Sequence, residues 1–320
     1  MFLALIQELR PKQWTKNLLL FAGVLFSQQM GEPGLALRAA LGFVAFSLLS
    51  GTVYLLNDLK DVEADRLHPR KRERPVAAGR LPVGVAWTAI VVILGIVAVL
   101  SSGPLAFLPE GATRHLPGHL VEALSVGLGG GFVVVAGSYF ALNLAYSMGL
   151  RNQVLLDVFV IALGFVLRAI AGVELLRPVS PRTEISPWLL VCTFFGALFL
   201  ALAKRRRELT NAGDGAGQRR AVLVHYTPAL LDGLVLVSAA ASIMGYALYT
   251  IWPETVRKFG TSDLLYTVPF VTYGIFRYLY LVRSAEVSED PSQLLLTDRP
   301  LAACVLLYLA AVSFILYRGG

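Results

Sequence analysis

Charge is scarce in this chain. Asp, Glu, Lys and Arg make up 15% of its 320 residues, while 56% are hydrophobic. That balance excludes a soluble domain over the whole length and predicts an integral membrane protein. Cysteine is scarcer still. The two present, Cys192 and Cys304, lie in apolar runs, which argues against a disulfide framework and gives no redox or zinc site. His115 and His119 stand four apart, but Pro117 between them argues against a helical metal pair. A low-complexity tail and a long soluble domain are both lacking. A signal peptide is not expected, because the apolar start MFLALI is too short and its cations follow it. The net charge of +7 resides in loops between apolar spans, which points to lipid headgroups or anionic substrates rather than nucleic acid.

What is abundant is apolar sequence in membrane-length segments. Nine are predicted: Gln13–Met30, Leu35–Leu56, Pro82–Ser102, Val121–Tyr146, Val154–Leu176, Ile185–Ala203, Pro228–Ile251, Leu264–Val282 and Pro300–Tyr317. The expectation is an all-α polytopic membrane protein, a nine-transmembrane-helix bundle forming a single domain over residues 1–320. Lys and Arg concentrate in alternate connections: Arg10 to Lys16, Lys60 to Arg80, Arg151, Lys204 to Arg220, and Arg283 with Arg299. The positive-inside rule therefore puts the N-terminus and these connections in the cytoplasm. Homo-oligomerisation is left open.

One stretch organises the rest. Asn57 to Gly79 reads NDLKDVEADRLHPRKRERPVAAG and follows the charge-free run Ala39 to Leu56. Asp58, Asp61 and Asp65 stand at i, i+3 and i+7, so a continuing helix puts all three on one face, with Asn57 at its edge. Like charges stacked this way repel, and a divalent cation is the natural compensation. Few hard oxygens on one side suit Mg²⁺ that keeps several waters and shares a phosphate group. The basic block Arg66, Arg70, Lys71, Arg72 and Arg74 follows, as binding of a metal–diphosphate requires. The bland alternative is a solvated loop at a helix end.

A second constellation lies between the fourth and fifth spans, on the same expected side. Asp157 enters the fifth span in its first turn, with Tyr146 and Arg151 nearby. It serves either the positive end of its own helix or a second acidic contribution facing the first. Lys204, Arg205, Arg206 and Arg207 read as either a membrane anchor or a phosphate clamp. Inside the membrane, Arg168 is expected to pair with Asp157 or Asp232, and Arg277 to be paired or to snorkel.

These motifs resemble a known pattern. NDLKDVEAD, Asn57 to Asp65, is similar to the NDxxDxxxD signature of the UbiA superfamily of intramembrane prenyltransferases. The nine spans and HPRKRERPVAAG, His68 to Gly79, fit across nearly the whole chain. RPKQWTKN, Arg10 to Asn17, and YSMGLRNQVLLD, Tyr146 to Asp157, resemble the branch that transfers phosphoribose to decaprenyl phosphate. Two departures stand out: Arg151 replaces a usual Lys, and Asp157 alone replaces a second DxxxD.

The resemblance implies a magnesium-dependent transferase in the plasma membrane of a prokaryote. It would move phosphoribose from 5-phosphoribosyl 1-diphosphate to a polyprenyl (decaprenyl) phosphate, releasing pyrophosphate, for arabinan and cell-wall precursors. Asp58, Asp61 and Asp65 would be catalytic and, with Asn57, would hold Mg²⁺. Lys16, Asn17, Asn57, Arg74, Tyr146, Arg151, Asp157, Lys204 and Arg205 would bind substrates. The phosphate nucleophile is already anionic, so no general base is needed, consistent with the lack of a well-placed histidine; His225 is unsupported. The alternative is transfer of a polyprenyl group from its diphosphate to an aromatic or other acceptor. A transporter is disfavoured, because no polar midplane site is evident. Gly127 and Gly129–Gly131 are read as helix-packing positions before they are read as breaks.

Overall fold

The computed structural model describes residues 1–26, 33–68, 71–103, 117–180, 183, 185–212, 221–283 and 297–318, and every regular element among them is helical. In chain order these are α1 (Phe2–Glu8), a 3-10 segment (Pro11–Leu20), α2 (Phe21–Phe26), α3 (Pro33–Lys60), α4 (Val62–Leu67), α5 (Val83–Ser102), α6 (Gly118–Ser125), α7 (Gly130–Met148), α8 (Leu156–Glu174), α9 (Pro187–Ala212), α10 (Pro228–Ile251), α11 (Pro253–Phe259), α12 (Val268–Arg283) and α13 (Arg299–Tyr317). Among the described residues, seven helices are long and apolar enough to cross a membrane: α3, α5, α7, α8, α9, α10 and α13. The first expected span is the Pro11–Leu20 segment running into α2, and the eighth is α12, of 16 residues. The fourth is divided. Gly127 and Gly129 adopt φ of 65° and 88°, a left-handed conformation open to glycine, and they separate α6 from α7. Those two glycines therefore interrupt the helix. Arg70, His115 and most of the Gly103–His119 loop lie outside the described residues, as does the side chain of His119.

Helix α5 shows why the chain needs lipid. Ala86, Ala89, Ile90, Ile93 and Val97 are buried at helical spacing, yet its outward face carries Trp87, Val91, Val92 and Ile96, which are equally apolar. A helix apolar on both its packed and its open face suits a bilayer.

The chain falls into two compact units, Met1–Ser147 with Leu167–Glu184, and Met148–Val166 with Ile185–Gly320. The first is built on α3, against which α5, α6, α2 and the Pro11–Leu20 segment pack. Its core holds Leu20, Phe46, Phe132, Leu175 and Leu176, and the Phe46 ring lies 4.7 Å from that of Tyr139. Close backbone approach is set by Gly23 and Gly172, where an added Cβ would overlap carbonyl oxygens of Gly172 and Leu20 respectively.

In lipid the apolar transfer term between helices is small, so packing and interhelical hydrogen bonds hold them together. Arg168 supplies such bonds. Its Nε donates to Asn17 Oδ1 at 2.8 Å and its Nη2 to the Tyr139 hydroxyl at 2.8 Å. Asn17 Nδ2 in turn donates to Ser47 Oγ at 3.0 Å and Ser50 Oγ at 3.2 Å. Arg168 also lies 4.7 Å over the Tyr139 ring. These bonds correct the expected pairing of Arg168 with Asp157 or Asp232.

The second unit is built on the hairpin of α9 and α10, with Phe199, Leu202, Leu231, Val235 and Tyr278 in its core. Thr227 caps α10 by accepting the Leu230 amide at 3.2 Å. Asp298 caps α13 through the Leu301 amide and pairs with Arg277 at 2.8 Å, so Arg277 is paired as expected. Cys192 and Cys304 are free thiols.

Candidate functional site

The first acidic motif forms at the end of α3, but not on one straight helix. Helix α3 stops at Lys60, Asp61 takes φ −94° and ψ 11°, and α4 starts at Val62. Backbone bonds still cross the break: the Asp61 amide donates to Asn57 and the Asp65 amide to Asp61. The kink brings Asp58 and Asp65 together. Both are buried, at 3% and 2% exposure, whereas Asn57 and Asp61 are half-buried.

Cations from two other segments converge on this pair. Arg74 Nη1 donates to Asp58 Oδ1 at 2.8 Å and to Asp65 Oδ2 at 2.6 Å. Arg10 Nη2 donates to Asp58 Oδ1 at 2.9 Å and Oδ2 at 2.6 Å. Lys71 Nζ lies 3.6 Å from Asp65 Oδ1. The expected like-charge repulsion is thus offset by the chain's own cations. Arg10 was not among the expected site residues. It reaches Asp58 from a left-handed backbone, φ 52° and ψ 62°, directly before Pro11. That conformation is uncommon outside glycine and costs about 1–3 kcal/mol. The ion pair and a Tyr54 ring 4.8 Å from the Arg10 guanidinium accompany it.

Glu8 was also unanticipated. Its Oε1 accepts the Val76 amide at 3.2 Å, which ties α1 to the Arg74 loop. Burial, and then the Asp58 charge, push its carboxyl up to about 7, against the pull of the Val76 amide, Arg10 and Arg74. Gln7, Glu8, Arg10, Glu73, Arg74 and Pro75 line an open cleft of about 330 Å³ beside the acidic pair. At the same end, Lys60 Nζ donates to the Ser147 carbonyl at 2.8 Å, fixing the ends of α3 and α7 and so placing half-buried Tyr146. Lys16 is half-buried in the Pro11–Leu20 segment, while Asn17 is buried within the Arg168 network.

The donor set fits a divalent cation. Oxygens of Asp58 and Asp65 both lie within 2.8 Å of one cationic nitrogen, so they can grip a single positive centre. Among the described residues no three acidic, His or Cys side chains gather to hold a metal. Two carboxylates suit Mg²⁺ that completes its shell with water and substrate phosphate, rather than an all-protein cage.

The second constellation forms in the second unit. Asp157 is fully buried at the start of α8, 2.6 Å from Arg205 Nε, and accepts the Tyr226 hydroxyl at 2.7 Å. The same hydroxyl accepts the Leu155 amide at 2.8 Å, and Leu155 has φ 67°. Burial and the bond to Asp157 push the Tyr226 phenol up. The Lys204–Arg207 run is not one clamp. Arg205 holds Asp157 and Glu208, Arg206 holds Asp232 at 2.9 Å, and Arg207 reaches the Leu281 carbonyl. Lys204 and Arg151 are half-buried.

Comparisons with known proteins agree with this architecture. The UbiA prenyltransferase family model matches residues 18–297. A protein of Mycolicibacterium smegmatis named decaprenyl-phosphate phosphoribosyltransferase is 32% identical, over 98% of this chain and 92% of its own. One of the same name from Corynebacterium glutamicum is 33% identical, over 98% and 86%. A UbiA homolog from Archaeoglobus fulgidus, solved with GPP and Mg²⁺, superposes with a TM-score of 0.65 at 17% identity, over 98% of this chain and 99% of that one.

Proposed function

The chain belongs to the UbiA prenyltransferase family, and on that premise we propose that it transfers phosphoribose from 5-phosphoribosyl 1-diphosphate to a polyprenyl phosphate, releasing pyrophosphate. The observation that carries this reading is the buried Asp58–Asp65 pair with Arg10, Arg74 and Lys71 around it, beside a polar cleft. The names of the relatives matched over nearly their whole length support the choice of substrates, with decaprenyl phosphate as the lipid.

The chemistry asks little of the protein by way of proton transfer. The lipid phosphate oxygen is already anionic at neutral pH and forms the new bond to the anomeric carbon. The bond from that carbon to the diphosphate oxygen breaks, and pyrophosphate carries away the electron pair. Catalysis is then positioning and charge stabilisation. Asp58 and Asp65, with Asp61 and Asn57 adjoining, would hold Mg²⁺, which when bound offsets the charge developing on the leaving group. Arg74 and Lys71 bind phosphate oxygens, with Lys16 and Tyr146 of the same unit as further proposed substrate contacts, whereas Asp157 and Arg205 are held in their own buried ion pair. The site faces the cytoplasm of a bacterial cell and serves the making of arabinan and cell-wall precursors. The test is pyrophosphate release from phosphoribosyl diphosphate by purified protein. Release that depends on added polyprenyl phosphate supports the reading. Release only from a prenyl diphosphate with an aromatic acceptor replaces it with the alternative.

A further inference from the structure

The carboxylate oxygens a divalent cation needs are the ones the arginines hold. Arg10 engages both oxygens of Asp58, and Arg74 engages one oxygen of Asp58 and one of Asp65. A cation and the guanidinium groups therefore compete for the same lone pairs. A divalent ion arriving alone takes from Arg10, Arg74 and Lys71 the carboxylates they now hold. A diphosphate arriving with it offers them anionic oxygens in exchange.

The displaced groups also have somewhere to go. The Arg10 and Arg74 side chains are each 29% exposed, and both line the open cleft. They can leave the carboxylates without entering lipid or core. The planar guanidinium fork matches phosphate oxygens as well as it matches carboxylate.

We propose that Arg10 and Arg74 exchange partners on substrate binding. They leave Asp58 and Asp65 as the divalent cation enters and take hold of the donor's diphosphate in the cleft. Arg10 is thereby a diphosphate-binding residue, and cation and diphosphate bind together, each weakly alone. This rests on the reading that the donor is a diphosphate.

The experiment uses the full-length protein in nanodiscs, with Mn²⁺ as the probe ion read by EPR and inorganic pyrophosphate as the second ligand, corrected for their complex in solution. For the wild type, pyrophosphate tightens Mn²⁺ binding roughly tenfold, within the usual span of coupling between ligands. Arg10→Gln binds Mn²⁺ alone about tenfold more tightly, because a competitor is gone, and most of the coupling is lost. Arg10→Lys, which keeps the charge and loses the fork, falls between them and serves if the Gln variant does not fold. Unchanged or weaker Mn²⁺ binding in a variant that melts like the wild type overturns the proposal, as does absence of coupling in the wild type. Turnover of phosphoribosyl diphosphate is assayed on the same preparations. Coupling without such turnover leaves the exchange standing and removes the donor. Turnover without coupling removes the exchange.

Discussion

Asp58 and Asp65, seven residues apart across a helix kink, share a single nitrogen of Arg74, at 2.8 and 2.6 Å. Removing that nitrogen leaves two buried carboxylates facing each other with the bridge between them gone and one cation each, Arg10 on Asp58 and Lys71 on Asp65. Arg74→Met is expected to cost about 2–3 kcal/mol, less than a wholly buried pair because Arg74 is partly exposed. Melting in detergent with EDTA checks this. Adding Asp58→Asn to Arg74→Met should recover part of the loss, and a further additive loss would contradict the bridge.

Glu8 gives a pH dependence of definite sign. Burial, and then the Asp58 charge, hold its carboxyl up at about 7, against an ordinary value of 4.5. The folded state thus favours the neutral form. The stability it contributes is full below 4.5, declines as pH rises, and is gone above about 7. Glu8→Gln stays neutral throughout. Its advantage over the wild type should grow across that window by about 1–2 kcal/mol, less than the full shift because the open cleft screens the charge. Melting curves at pH 5 and pH 7.5 in EDTA decide it; an equal difference at both pH values contradicts the assignment.

The Asp157–Arg205–Tyr226 cluster should be costly to break. Asp157→Ala leaves the buried Arg205 guanidinium with Glu208 in place of both carboxylates and is expected to lose roughly 3 kcal/mol, the lower end for breaking a buried pair. Tyr226→Phe removes the hydroxyl's bond to Asp157 and the bond it accepts from the Leu155 amide, and should lose about 2–4 kcal/mol. Thermal unfolding of each variant is the check, and a neutral Asp157→Ala would show that the pair bears no structural load.

Gly172 leaves no space for a methyl group against the Leu20 carbonyl, and Gly23 none against Gly172. Gly172→Ala should separate the crossing and lose about 1–3 kcal/mol or more. Gly137, which meets nothing nearby, is the control position: Gly137→Ala should be tolerated. Similar melting of the two variants would refute the close approach.

Much of this site was legible because its chemistry is local in sequence. Asp58, Asp65, Lys71 and Arg74 fall within one short stretch, and their order alone suggests an acidic pair with cations behind it. Their shared geometry was less legible. A straight helix puts Asp61 between the other two, whereas the break after Lys60 lets Asp58 and Asp65 meet around Arg74. Arg10 was hidden because its contact spans 48 residues and depends on a left-handed backbone that the following proline disfavours. Glu8 carried a faint signal, as a lone acid at the end of an apolar helix. The partners of the Lys204–Arg207 run were not legible for a geometric reason. Successive helical residues point about 100° apart, so Arg205, Arg206 and Arg207 each find a different partner.

The most direct measurement is transfer of ribose label from phosphoribosyl diphosphate into the lipid phase. It uses purified protein in liposomes with Mg²⁺ and polyprenyl phosphate, and Asp58→Asn is run beside the wild type. The account predicts labelled lipid from the wild type, lost with EDTA and reduced at least about 100-fold in the variant, as when a charge-stabilising group is removed. Unlabelled lipid from a folded wild-type preparation, or full transfer by Asp58→Asn, would contradict it.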